Sequence, residues 1–367
     1  MDKIKEIHIY QYDMSILGPS YRFSLSTLTK LDTTLVKIVC ESGVSGFGEV
    51  CPLGNTYLPS HPEGARAALK TIAPQLIGMN PVQTQVILSK MDLALSGHAY
   101  AKAAIDIALW DLKGKIFNLS LSDLLGGAIV DHVPGYYAIS TDTPENVANI
   151  VIEKQAQGYR RLQIKVGGRD IEEDIAVAHK AFEARAPGIK IVLDANRSLS
   201  VCDAIFLSNS CRDLNFIFEQ PCNSYEEIKS LKGKINHPIF VDESATGIDM
   251  ICRSIHDDVA DGFGMKITRI GGLSNMIAIR DICRDFKRPM TCEDSWGGDI
   301  IAAACVHMGA TIAPKLLEGV WISDDYTDGN YDEENPITAG AQIKVPTGPG
   351  LGINPDTTKW AHIISFD

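Results

Sequence analysis

The sequence lacks the features that mark membrane, secreted and nucleic-acid-binding proteins. No apolar run reaches 18 residues, and residues 1–6 do not begin a signal peptide. The nine cysteines are scattered, odd in number and without a Cys-x-x-Cys pair, so neither a disulfide framework nor a zinc site is expected. The net charge is −12 and no block of Lys and Arg occurs, which argues against a nucleic acid or an anionic membrane as a partner. Together these absences predict a cytoplasmic protein with reduced thiols.

Six apolar runs share one feature, because a charged residue stands at the end of each. These residues are Lys165, Asp194, Glu219, Asp242, Lys266 and Asp294. They are spaced by 29, 25, 23, 24 and 28 residues, the length of one strand, one helix and two short loops. Charged residues at the ends of successive buried strands predict a barrel with its active site at the carboxyl ends of the strands.

The first and eighth strands of this barrel are predicted at Val133–Ser140 and Leu316–Ile322, with Thr143 and Asp170 as caps of the first two helices. The fold class is therefore α/β: a modified (β/α)7β TIM-like barrel with an N-terminal α+β capping domain. In the sixth strand, Gly262 and Gly264 are expected to leave space below Lys266.

The length of 367 residues suits such a barrel joined to a smaller domain. We predict the capping domain at 1–127, the barrel at 128–323, and a segment at 324–367 that returns to the capping domain. Alternation and apolar periodicity predict its strands and helices at Lys3–Tyr12, Thr33–Glu41, Glu63–Ile77, Thr84–Leu95 and Ala99–Lys115.

Two loops of the capping domain, at about 17–22 and 51–59, are rich in Gly and Pro, yet each carries a tyrosine. They are either surface turns or lids that close over the barrel mouth and exclude water.

The order of the charges predicts a chemistry. Asp194, Glu219 and Asp242 would repel one another unless a cation lay among them, and oxygen ligands favour Mg²⁺. Lys165 and Lys266 come from opposite sides of that ion, so a small metal-bound carboxylate substrate would lie between two amines. A lysine desolvated near a divalent cation has a lowered pKa and can act as a base. Alternatively, each acid caps a helix or pairs with a surface lysine.

This ordered set resembles the enolase superfamily, in its muconate-lactonizing-enzyme subgroup, over essentially the whole chain. The resemblance implies that Asp194, Glu219 and Asp242 bind Mg²⁺ and that Lys165 and Lys266 are acid/base catalysts. Many members carry Lys-x-Lys in the second strand. Here Gln163 replaces the first lysine, which removes an electrostatic helper.

Within the subgroup, several motifs are similar to two branches, the 4-hydroxyproline betaine 2-epimerases and the cis-3-hydroxyproline dehydratases. The motifs are Gly54-Asn55-Thr56-Tyr57, Glu219-Gln220-Pro221-Cys222, Lys266–Gly272 and Asp294–Asp299. The segment Leu317–Trp321 resembles the betaine epimerases, and the Asp-x-Asp with which dipeptide epimerases hold an ammonium group is missing at the eighth strand end.

The resemblance implies a Mg²⁺-dependent isomerase that epimerises the carbon α to the carboxylate of proline betaine or 4-hydroxyproline betaine. Dehydration of cis-3-hydroxy-L-proline, another racemase or cycloisomerase activity, and a non-catalytic binding protein are the alternatives. We expect a homo-oligomer.

Four residues are predicted to contact the substrate. Aromatic faces attract a quaternary ammonium by cation–π interaction, and this predicts roles for Tyr57, Trp296 and Trp321. Asp294 would add a negative charge. The alternative for each aromatic residue is packing in the core.

Overall fold

The structure is a computed structural model that describes residues 2–17, 21–23 and 26–367. Its strands, in chain order, are β1 Ile4–Ser15, β2 Tyr21–Phe23, β3 Ser26–Leu28, β4 Lys30–Cys40, β5 Ser45–Val50, β6 His132–Pro134, β7 Tyr137–Ile139, β8 Arg161–Lys165, β9 Lys190–Asp194, β10 Ile217–Glu219, β11 Ile239–Val241, β12 Gly262–Phe263, β13 Met290–Cys292, β14 Leu317–Val320, β15 Gln342–Lys344 and β16 Ala361–Phe366. Its α-helices are α1 Pro62–Ile72, α2 Thr84–Ala94, α3 Ala99–Phe117, α4 Leu121–Leu124, α5 Pro144–Ala156, α6 Ile171–Ala184, α7 Val201–Ser210, α8 Tyr225–Ser230, α9 Ile248–His256, α10 Leu273–Asp285 and α11 Asp299–Ala310.

Strands β7 to β14 form one parallel sheet in sequence order. A parallel bridge between Gly135 and Val320 connects the start of the first strand to the end of the last. Helices α5 to α11 alternate with these strands, so the predicted (β/α)7β barrel is confirmed. The predicted caps are also confirmed, because the Thr143 side chain accepts from the Asn146 amide and that of Asp170 from the Glu172 amide.

The register of the barrel brings the charged strand ends to one level. Lys165 lies opposite Asp194, and Asp194 opposite Glu219. The barrel interior below them is filled by side chains, and the predicted space below Lys266 is absent. A Cβ atom on Gly262 would lie 2.3 Å from the ring of Phe240, so this glycine makes room for that ring.

The capping domain contains an antiparallel sheet in the order β16-β1-β4-β5, which packs against α1 and α3, and α2 packs against these two helices. Helix α1 ends at Ile72, earlier than predicted, because Pro74 cannot donate a helical hydrogen bond. The predicted strand Val133–Ser140 is divided: β6 pairs with β15 of the C-terminal segment, and only β7 enters the barrel. The domain boundaries themselves stay a prediction.

A buried carboxylate, that of Glu49, joins the capping domain to the barrel. It accepts hydrogen bonds from the Thr33 hydroxyl (2.9 Å), the Tyr331 hydroxyl (2.8 Å) and the Gly298 amide (2.9 Å). Gly298 is the N-cap of α11 and has no side chain that could accept from the first turn, and Glu49 Oε2 accepts from the Ile301 amide of that turn at 3.4 Å instead. The residues just before α11 are thereby held against the capping domain.

The thiols and the helices agree with the sequence pattern. All nine cysteines are free thiols. Within the described part of the chain, no helix combines the length and the apolar character that crossing a membrane requires.

Candidate active site

A cavity at the carboxyl ends of the barrel strands collects most of the predicted site residues. Its lining comprises Tyr21, Leu53, Tyr57, Tyr136, Ala138, Gln163, Lys165, Asn196, Lys266, Glu293, Asp294, Ser295, Trp296 and Trp321. Both predicted lysines and all four predicted substrate contacts are in this set. Of the two predicted lids, loop 51–59 contributes Leu53 and Tyr57. In the loop at 17–22, residues 18–20 lie outside the described residues, and Tyr21 lines the cavity.

The three predicted metal ligands lie directly beside this cavity, and each is fully buried. Lys165 Nζ lies 2.5 Å from Asp194 Oδ2, and Lys266 Nζ lies 2.5 Å from Asp242 Oδ2. The third carboxylate, that of Glu219, accepts from Arg161 Nη2 at 3.3 Å. Each acid therefore has a cationic partner within the chain.

These pairs determine the protonation of the lysines. Burial lowers the pKa of Lys165, but the charge and hydrogen bond of Asp194, together with the charges of Tyr21 and Glu219, more than offset burial, and the net shift is upward. The pKa of Lys266 also rises, since Asp242 and Glu293 outweigh the effect of burial. A lysine base is predicted to have a lowered pKa, and the ion pairs seen here have the opposite effect.

The buried carboxylates also shift the pKa values of one another. Burial and the charge of Asp194 raise the pKa of Glu219 well above its ordinary value. The pKa of Glu243, next to Asp242 in sequence, rises to about 8 through burial and through the charges of Asp242 and Asp194. Burial raises the pKa of Asp242, but Lys266 and Arg269 more than offset this, and its net shift is downward.

The donor set fits a hard divalent cation in its chemistry and placement, since three buried carboxylates follow neighbouring strands. Two buried oxygen atoms nearby, Asn196 Oδ1 and Glu243 Oε2, have no hydrogen-bond partner. As they stand, residues 2–17, 21–23 and 26–367 contain no group of three or more His, Cys, Asp or Glu side chains that could hold a metal ion. Binding of a common ion requires Asp194 and Asp242 to exchange their lysine partners for it.

Sequence reasoning missed a polar network beneath the cavity. Arg161 Nη1 donates to Gln163 Oε1 (3.1 Å), and Gln163 Nε2 donates to Asp194 Oδ2 (2.6 Å) and to Glu219 Oε1 (3.3 Å). Gln163 thus occupies the place of the missing lysine and links two acids. Strand parity could have identified Arg161, because it shares a strand face with Gln163 and Lys165.

Arg269 and Glu293 were missed as well. Arg269 donates through Nη1 to Asp242 Oδ1 and through Nη2 to the Gly264 carbonyl (2.6 Å), which fixes one face of the Asp242 carboxylate. Its contacts come from a turn after β12, where strand parity gives no signal. Glu293 accepts from the hydroxyls of Tyr136 (2.6 Å) and Thr291 (2.5 Å).

An aromatic wall closes the other side of the cavity. The ring of Trp296 lies edge to face with Tyr21, Trp321 and Tyr326, at centroid distances of 5.2, 5.2 and 5.8 Å. Trp321 directly follows β14, as predicted from its place at a strand end. The aromatic residues therefore pack on one another and also line the cavity.

Asp294 lies at the edge of this wall with its carboxylate occupied. It accepts from the Thr268 amide (2.7 Å), the Thr268 hydroxyl (2.6 Å) and the Ser295 amide (2.7 Å). Burial raises its pKa to about 6.

Two lysines and three buried carboxylates thus lie at the carboxyl ends of the barrel strands, where barrel enzymes place their active sites. The comparisons with known proteins identify the family. The chain belongs to the enolase superfamily and is an enzyme: the model described as "Enolase C-terminal domain-like" matches residues 147–359, and the mandelate racemase / muconate lactonizing enzyme N-terminal domain matches residues 6–126.

Individual relatives span the same architecture. A cis-3-hydroxy-L-proline dehydratase from Roseibium aggregatum is 37% identical over 96% of this chain and 96% of its own. A hydrophobic dipeptide epimerase from Enterococcus faecalis is 31% identical over 77% of this chain and 79% of its own. The crystal structure of an enolase-superfamily member from Roseovarius nubinhibens complexed with magnesium superposes with a TM-score of 0.95 at 31% identity, covering both chains fully.

Proposed function

We propose that this enzyme is a Mg²⁺-dependent epimerase of proline betaine or 4-hydroxyproline betaine. It moves a proton at the carbon α to the carboxylate of this small-molecule substrate, with Lys165 and Lys266 as the two acid/base catalysts. The homo-oligomeric state and the cytoplasmic location remain predictions.

The placement of the lysines supports this proposal. Lys165 ends β8, and Lys266 follows β12, four strands further round an eight-stranded barrel. The two ammonium groups therefore approach the cavity from opposite sides. One lysine, as the free amine, takes the α-proton from one face of the substrate, and the other, as the ammonium ion, returns a proton to the opposite face.

Asp194, Glu219 and Asp242 would hold the ion. When bound, Mg²⁺ supplies positive charge that offsets both these acids and the charge that develops on the substrate carboxylate. Arg161, Gln163 and Arg269 hold the acids in place from below. The magnesium found with the Roseovarius nubinhibens relative supports the same cofactor here.

The hydrogen bonds that Asp294 and Glu293 already accept, beside the aromatic wall, favour a betaine over a free amino acid as the substrate. Asp294 accepts three hydrogen bonds from protein donors and Glu293 accepts two, so part of the acceptor capacity that an amino-acid ammonium would need is already used. A quaternary ammonium has no N–H to donate. The faces of Trp321, Trp296 and Tyr21 suit it, at about 0.5–2 kcal/mol for a favourable cation–π contact.

Dehydration of cis-3-hydroxy-L-proline is the second candidate, supported by the relative from Roseibium aggregatum at 37% identity. Both reactions begin with loss of the α-proton, and they differ in whether a hydroxide then leaves the neighbouring carbon. A proton NMR assay in D₂O against proline, its hydroxylated forms and their betaines distinguishes them. Epimerisation of betaines supports the proposal, whereas dehydration of the 3-hydroxyproline with betaines unchanged would replace it.

Trp321→Phe is expected to raise KM for a betaine modestly, and Trp321→Ala to raise it about tenfold or more, because the cation–π surface is reduced and then lost. Steady-state kinetics on proline betaine measure this. Exposed Phe286, which lies outside the cavity lining, provides the control in Phe286→Ala. Equal KM values for Trp321→Ala and the parent enzyme would show that Trp321 serves packing alone.

A further inference from the structure

Loop 51–59 separates two cavities. Leu53 and Tyr57 face the catalytic cavity, and the Tyr57 hydroxyl donates to Asp242 Oδ2 at 3.1 Å. Pro52, Leu58 and Pro59 line a second cavity of about 490 Å³ between the capping domain and the barrel mouth. The loop is therefore a thin partition with free space on its outer side.

The catalytic cavity is too small for a substrate in this conformation. Its volume is about 40 Å³, whereas pockets for small organic molecules occupy about 300–1,000 Å³. A substrate of the size of a proline betaine cannot enter unless part of the wall moves. Loop 51–59 is suited to that movement, because the second cavity lies behind it.

One side chain of the barrel, that of Arg197, is hydrogen-bonded to this loop. Its Nη2 donates to the carbonyl oxygens of Thr56 (3.2 Å) and Tyr57. Its guanidinium carbon lies 5.9 Å from the centre of the Tyr57 ring. Arg197 therefore binds the main chain of the loop at Tyr57, the residue whose side chain lines the catalytic cavity.

The backbone at Asn196 and Arg197 adopts an unusual conformation that directs the Arg197 side chain toward the loop. Asn196 and Arg197 have φ values of +43° and +72°, a region that side chains other than Gly rarely adopt. The Arg197 amide donates to the Gln220 carbonyl at 2.9 Å, and the Asn196 amide donates to Asp194 Oδ1 at 2.9 Å. The turn that directs Arg197 toward the loop is thus hydrogen-bonded to Asp194 and to Gln220, the residue after Glu219.

We propose that Arg197 is the latch of loop 51–59. It is a positioning residue that holds the loop, and Tyr57 with it, over the catalytic cavity while the proton is transferred. The role of Arg197 in catalysis rests on the proposed function. Its hydrogen bonds to loop 51–59 are a property of the free protein and can be measured without substrate.

The test uses Arg197→Gln, which removes the charge and the guanidinium fork, and Arg197→Lys, which retains the charge. Arg212→Gln is the matched control, because Arg212 also donates to a main-chain carbonyl, that of Asn209, but on the exposed surface. Amide hydrogen exchange is measured on the full-length proteins without substrate. Since a hydrogen bond from a charged group contributes about 1.5–3 kcal/mol, exchange in 52–60 should become at least about tenfold faster in Arg197→Gln and less so in Arg197→Lys.

Exchange in β9 serves as the internal reference and should not change. With proline betaine, Arg197→Gln should raise KM more than it lowers kcat, because a smaller fraction of the enzyme is closed at equilibrium.

Exchange of 52–60 at the parent rate in Arg197→Gln overturns the latch and leaves the proposed function intact. Faster loop exchange, with no betaine activity in any variant including the parent, overturns the proposed function and leaves the latch standing. If Arg197→Gln does not fold, unchanged loop exchange in Arg197→Lys overturns the latch.

Discussion

Lys165→Arg and Lys266→Arg should each lose epimerisation by about 10²–10⁴-fold, the range that general acid–base catalysis contributes. Arginine retains the ion pair with Asp194 or Asp242, so the buried acids keep a cationic partner. It cannot release its proton at the pH of the assay, however, and therefore cannot act as a base. The substitution separates the chemical role of each lysine from its role in folding.

The two variants should also differ from each other. With one lysine intact, the enzyme can still exchange the α-proton of the stereoisomer whose proton faces that lysine. Lys165→Arg and Lys266→Arg should therefore exchange opposite stereoisomers in D₂O. Lys102→Arg is the control, because Lys102 is also buried and paired with an acid, Asp92, but lies in the capping domain. A variant that epimerises at the parent rate would show that its lysine is structural.

Removal of Mg²⁺ with EDTA should abolish proton exchange, and addition of Mg²⁺ should restore it. Asp194→Asn, Glu219→Gln and Asp242→Asn should each weaken Mg²⁺ binding by about 100-fold or more, since loss of even an outer-shell partner costs about 10–100-fold. Isothermal titration calorimetry measures the affinity directly, without reference to activity.

Asp174→Asn is the matched control for the metal ligands. Asp174 is a buried carboxylate that accepts from Arg169 Nε at 2.7 Å, but it lies outside the cavity lining. Its replacement should leave Mg²⁺ affinity unchanged. Full activity of Asp242→Asn in EDTA would contradict the assignment of the metal site.

Much of the site could be predicted from sequence because it follows the period of the barrel. Lys165, Asp194 and Glu219 end strands, and the structure places them in register at one end of the sheet. The place of Trp321 at the end of the eighth strand also predicted its position in the cavity wall. These predictions needed only the local pattern of each strand and the rule that parallel strands share a carboxyl end.

The partners of these residues could not be predicted in the same way. Arg161 meets Glu219 across 58 positions, and Tyr136 meets Glu293 across 157. Arg197 reaches loop 51–59 from a turn in which its own positive φ has no sequence signature, because arginine rarely adopts that conformation. The raised pKa of each lysine likewise depends on which acid lies opposite, and this is a property of the assembled barrel.

Proton NMR of 4-hydroxyproline betaine in D₂O, with the parent enzyme in Mg²⁺ and in EDTA, tests the central claim most directly, because the two 2-epimers of this betaine are diastereomers with separate signals. The proposed function predicts that the α-proton signal disappears and the epimer accumulates in Mg²⁺, and that neither change occurs in EDTA. Retention of the α-proton in both samples, or its equal loss in both, would contradict Mg²⁺-dependent epimerisation of a betaine by this enzyme.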